Sequence, residues 1–142
     1  MRVARLLSLS FTSILALVLV QCSRTGKVVS GTYEIADQEY SSQNYVMLRK
    51  LKSQGEFEER HILNRCLRME MTGKWEQVGG TIVLDYTQAR NRDNCSDPMP
   101  AWSVDTSRLS IPIRNVEGTG YEALLAATDT QSEKWIKWMR TE

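Results

Sequence analysis

The chain is 142 residues long, 42% hydrophobic and 25% charged, a composition that suits one folded domain and excludes a disordered or mainly membrane-embedded chain. Its 18 basic and 17 acidic residues leave a formal charge of +1, so there is no basic field to hold a phosphate backbone, and nucleic acid is set aside as a partner. A single histidine, three cysteines and the lack of a glycine-rich phosphate loop remove most enzyme templates.

The first 21 residues read as a secretory signal. Arg2 and Arg5 form a charged start, and Leu6 to Val20 is an apolar stretch broken only by serine and threonine. At 15 residues it falls short of the roughly 20 that a membrane span needs. It ends Leu19-Val20-Gln21-Cys22, which resembles the lipobox of bacterial lipoproteins, with Gln21 where that box usually has a small residue. The resemblance implies cleavage before Cys22, whose thiol would carry diacylglycerol, with acyl chains such as palmitate entering the bilayer. Several such chains, at about 0.8 kcal/mol per buried methylene, hold a folded domain durably at a membrane. Ser23 stands where an acidic residue would signal inner-membrane retention, which implies the outer membrane. An ordinary secretion signal and an uncleaved short anchor are the alternatives.

Removing residues 1–21 takes two arginines, so 18 less 2 leaves 16 basic residues against 17 acidic ones. With Cys22 assigned to lipid, Cys66 and Cys95 remain, and an exported chain most simply pairs them. The loop they close is about 30 residues, for which chain entropy alone gives roughly 3–4 kcal/mol. A metal pair or a reactive thiol is the alternative, but no C-x-x-C spacing or nearby histidine favours a metal.

Residues 22–30 read as a lipidated polar tether and 31–142 as the folded domain. Short strand-like segments follow in chain order at 32–35, 45–52, 56–63, 66–71, 74–78, 81–86, 109–115, 121–127 and 134–140. Turn signals at Ser53-Gln54-Gly55, Thr72-Gly73, Gly79-Gly80 and Gly118-Thr119-Gly120 separate them. Alternation is clear in Leu67, Met69 and Met71 against Arg68 and Glu70, and again in Leu109, Ile111 and Ile113. Pro112 cannot donate to a ladder, so its strand is expected at an edge or bulged there. The polar stretch 87–103 reads as a long loop pinned by Cys95. Thr130-Gln131-Ser132-Glu133 fits a helix capping box, yet lysines and an arginine alternate with apolar residues after it, which favours a closing strand. The expected fold is all-β, an antiparallel meander closing into a barrel of about eight strands.

Three pieces carry a resemblance. Gly31-Thr32-Tyr33 opens the first strand, Gly55-Glu56-Phe57 follows an apolar strand, and Gly73-Lys74-Trp75 precedes Gly80-Thr81-Ile82-Val83-Leu84. Their order resembles small lipid-anchored bacterial barrels of the lipocalin-like (calycin) and copper-resistance-lipoprotein-like kinds, over residues 31–86 and again at the closing Trp135 to Arg140 segment. These motifs report hairpin geometry, and no functional residue of a family transfers through them.

Chemistry is sparse. The period-2 rule places Phe57, Glu59, His61 and Leu63 on one face, where Glu59 and His61 form a potential acid–base pair without a nucleophile or oxyanion motif beside it. Met69 and Met71 present soft sulfur, which suits Cu(I), although methionine is an ordinary core filler. Trp75, Trp102, Trp135 and Trp138 either line a cavity or fill the core, and Trp135 and Trp138 differ in strand parity, so one should face outward. No catalytic, cofactor-binding or metal-ligating set is assigned. The expectation is a non-enzymatic envelope protein, a binding module at the outer membrane that docks another protein or the cell envelope, with a lipocalin-like carrier of an apolar small molecule as the alternative. Several large inward side chains lean towards a filled interior.

Overall fold

The computed structural model describes residues 26–36, 44–125 and 133–142; the leader, Cys22 and the end of the predicted 121–127 strand lie outside them. Among the described residues the elements are nine strands and no helix: β1 Gly31–Ile35, β2 Tyr45–Leu51, β3 Glu56–Leu63, β4 Cys66–Val78, β5 Thr81–Asn91, β6 Ser103–Val104, β7 Arg108–Glu117, β8 Gly120–Leu125 and β9 Lys134–Arg140. Pairing runs β4-β3-β2-β1-β9-β8-β7-β5, all antiparallel, and β4 pairs with β5 to close an eight-stranded barrel. The two-residue β6 lies alongside the far end of β5, pairing Gln88 with Val104 and Ala89 with Ser103. The all-β meander and the closing strand at 134–140 are as expected from the sequence.

Most strand ends fall within two residues of expectation and the short β6 is additional, but two boundaries differ by more. Thr72-Gly73 is not a turn: β4 passes through it without a break. A Cβ on Gly73 would sit 2.0 Å from the Asp85 carbonyl oxygen and 2.7 Å from the Phe57 ring. Glycine is therefore there for close approach of β5, and the β4–β5 register shifts at that point, bending the ladder as barrel closure requires. Gly73→Ala is expected to destabilise the fold by about 1–3 kcal/mol, read as a lowered urea midpoint at unchanged slope. The second difference is β5, which continues to Asn91 because β4 is long enough to pair with it up to Met69↔Asn91. The loop expected over 87–103 therefore shrinks to residues 92–102. Cys95 in that loop is bonded to Cys66 at the start of β4, with Cα atoms 6.0 Å apart, an ordinary disulfide spacing.

Pro112 pairs with Thr81 of β5 on one side, whereas the β7–β8 ladder reaches only Ile113↔Ala123 on the other. The missing N–H thus falls where β7 has an unpaired edge, in keeping with the expectation for this proline.

The barrel has two unlike ends. At one, residues 26–30, read from the sequence as tether, cross the opening. Val28 is 3% exposed and its N–H donates to Gln77 Oε1 at 2.7 Å, while Gln77 Nε2 donates to the Gly26 carbonyl at 2.9 Å. Above this plug lie Tyr33, Leu51, Phe57, Ile82, Leu84, Ile113 and Tyr121, all buried. This half of the barrel is a packed core, which supplies most of the hydrophobic stabilisation at roughly 25 cal/mol per Å² removed from water. The other end carries the ends of β1 and β8 and the starts of β2 and β9, and it is not filled in the same way.

Candidate functional site: a polar-floored cavity in the barrel

The half-barrel away from the plug encloses a cavity of about 840 Å³. Its walls are largely apolar, with Met47, Ile111, Ile136 and Trp138 among them, and Leu109 and Leu125 stand at its rim. These two leucines are 45% and 41% exposed, so the cavity opens beside them. The opening follows from the β7–β8 ladder. Continuing its register would set Ile111 opposite Leu125, but the described pairing stops at Ile113↔Ala123. The wall parts between the two strands.

Large side chains do not fill this space, contrary to the leaning of the sequence, because only one of the four tryptophans turns fully inward. Parity sends Trp138 in and Trp135 out, where the Arg114 guanidinium lies 4.1 Å over its ring. Trp102 lies outside under Arg90 at 4.5 Å. Trp75 packs against the core near the plugged end, donating from Nε1 to the Lys52 carbonyl at 2.9 Å.

The floor is polar. Register sets Arg49 of β2 directly opposite Glu59 of β3, and both side chains point inward. Arg49 Nε and Nη2 donate to Glu59 Oε2, each at 2.6 Å, with side-chain exposures of 5% and 4%. Glu59 Oε1 is 2.8 Å from His61 Nε2, and His61 Nδ1 is 2.5 Å from the Tyr45 hydroxyl. The tautomer with its proton on Nε2 satisfies both bonds at once, the tyrosine donating to Nδ1 and the imidazole to the carboxylate. The Arg49 guanidinium lies 4.3 Å over the Trp138 ring, which stacks in turn on Tyr121. A cation held between a carboxylate and an aromatic face is the arrangement that makes a buried arginine tolerable.

The electrostatics follow. Burial alone would raise the Glu59 carboxyl, but the Arg49 charge, then the His61 hydrogen bond, hold it below the usual carboxylate range. Burial likewise opposes the Arg49 charge, and Glu59 more than offsets it, so the guanidinium stays protonated. Tyr86, beside the pair on the cavity wall, is pushed up to about 12 by burial and then by the Glu59 charge. It stays a hydroxyl at any physiological pH.

The sequence-flagged residues are thus partly united. Glu59 and His61 sit together as expected, and their partners Arg49 and Tyr45 were not foreseen. Met47, His61 and Met69 form one cross-strand row with Met71 beside it, which supplies a third thioether for a soft cation. Both imidazole nitrogens are already engaged, however, so the row reads as packing. Glu58 and Arg60 face outward, pairing with Lys52 at 2.5 Å and Glu70 at 3.1 Å, an ordinary charged strand face. Comparison with protein-family models, with curated proteins and with solved structures finds no match to this chain.

Proposed function

We propose that this protein is a lipid-anchored envelope protein, tethered through Cys22, whose barrel binds an apolar small molecule and is not an enzyme. The observation that carries this reading is the cavity of about 840 Å³ with apolar walls, a size in the range of small-molecule pockets. An eight-stranded barrel has room for one such ligand when its inward residues leave space. The carrier reading therefore stands ahead of the docking module. Docking keeps one supporting feature: the short β6 leaves Val104 82% exposed and Trp102 37% exposed on the outer wall.

Anchoring at Cys22 has an orientational consequence. Gly26 belongs to the plugged end, and four residues of chain reach at most about 14 Å. A lipid on Cys22 holds the plugged end towards the bilayer and turns the open end away from it. The ligand then arrives from the aqueous side or from a facing surface, not straight from the anchoring leaflet.

Native mass spectrometry of the exported, oxidised protein after incubation with an envelope lipid extract tests the reading. The expected spectrum contains an adduct that survives desalting, and its mass begins to identify the ligand. A clean apo mass across extracts from several envelopes would send the search to protein partners on the outer wall.

A further inference from the structure

The hydrogen bonds at the cavity floor do not balance. Both Glu59 oxygens are taken, Oε1 by His61 and Oε2 by two nitrogens of Arg49, and His61 Nδ1 is taken by Tyr45. Donors remain. Arg49 Nη1 and the Tyr121 hydroxyl are buried side by side with no other partner; the guanidinium lies towards the phenol oxygen, so the phenol O–H is the donor left without an acceptor. The Tyr86 hydroxyl belongs to the cavity wall, within reach of a bound molecule. A buried donor without an acceptor is costly, and the Tyr121 O–H behind Arg49 together with the Tyr86 hydroxyl on the cavity wall define what is missing there: an acceptor.

The charges decide what kind. Arg49 is already neutralised by Glu59, which is 3% exposed. A ligand carboxylate would meet the Glu59 carboxylate across the same floor. Drawing Arg49 away would leave that carboxylate buried and unpaired, a strongly unfavourable state. Glu133, on the cavity lining near the opening, adds a second negative charge that disfavours an anion. A cationic head would in turn face Arg49.

Resting on the carrier reading, we infer that the ligand is uncharged, with an apolar body and a terminal carbonyl oxygen that accepts from Tyr86 and from the Tyr121 O–H behind Arg49. Esters and ketones of long-chain lipids belong to this class; free fatty acids and plain hydrocarbons do not.

The test is displacement of a fluorescent apolar dye from the exported, oxidised full-length product by three probes of equal chain length: methyl palmitate, palmitate and hexadecane. Methyl palmitate is expected to displace at about tenfold lower concentration than either of the others at neutral pH, the size of one satisfied hydrogen bond. In Tyr86→Phe, the ester is expected to fall to the level of hexadecane measured in the same variant. Palmitate acting as the strongest displacer overturns the inference, as does equal displacement by all three, and in both cases the carrier reading stands. If neither the dye nor any probe binds, the carrier reading itself is overturned, and the inference goes with it.

Discussion

Replacing Arg49 with leucine is expected to cost about 3–5 kcal/mol of folding stability, because it leaves the Glu59 carboxylate buried without its cation. Against a total of roughly 5–15 kcal/mol for a domain, that is enough to leave a large unfolded fraction. Glu59→Leu should be comparably damaging, since it strands the guanidinium over Trp138 with its Nε and Nη2 donors newly unpaired. The double replacement is expected to recover most of the loss, as isosteric apolar pairs commonly match or exceed a buried ion pair. Urea denaturation of the four proteins checks this as a double-mutant cycle. Additive losses would mean that the two side chains do not meet in the folded barrel.

The pair also sets a pH dependence. The folded-state pKa of Glu59 is depressed, so its contribution is complete above the unfolded value of about 4.3 and is lost as pH falls through the lower folded value. Stability of the native barrel should therefore decline below roughly pH 4 more steeply than that of the double variant. Equal acid profiles would count against an ionised Glu59.

Much of the barrel was legible because its strands are short and alternate cleanly, with glycine at Gly55 and Gly79 where φ is positive. What failed at Gly73 is instructive. A glycine beside a threonine reads as a turn, but its role here is to let the Asp85 carbonyl approach, a contact set by a strand not yet placed. The floor was half visible. Tyr45, Met47, Arg49 and Leu51 share one strand parity, so a charge lay on an otherwise apolar face, and Glu59 lay likewise on the face of Phe57. The turn at Ser53-Gln54-Gly55 fixes Leu51↔Phe57, and that register forces Arg49↔Glu59. Parity alone marked two odd charges; the hairpin register was needed to join them. Tyr86 and Tyr121 carried no local signal, since their meaning depends on strands β5 and β8 converging on that pair from the far side of the barrel. The cavity was misjudged for a related reason: counting tryptophans says nothing of which wall each one faces.

Removing the disulfide with Cys95→Ala is expected to lower folding stability by about 3–4 kcal/mol, through the entropy regained by an unfolded chain freed of a 29-residue crosslink. The native loop has other restraints that should keep its shape. Arg92 Nε donates to the Leu67 carbonyl and Nη1 to the Asp97 carbonyl, both at 2.8 Å, and Arg68 Nε donates to the Arg92 carbonyl at 2.9 Å. These bonds lash the loop to the start of β4 on the sulfur side, so the folded barrel changes little when the bridge goes. The urea midpoint should therefore fall steeply while apolar-dye affinity, measured at low temperature where the variant remains folded, stays close to that of the parent. A variant as stable as the parent would mean that the bridge contributes nothing to folding stability, and it would weaken the case for an oxidising compartment. A variant that folds but loses the dye would mean that the loop itself shapes the open end of the cavity. The first quantity reads the unfolded chain and the second reads the native wall, so a single protein separates what the disulfide does for folding from what it does for binding.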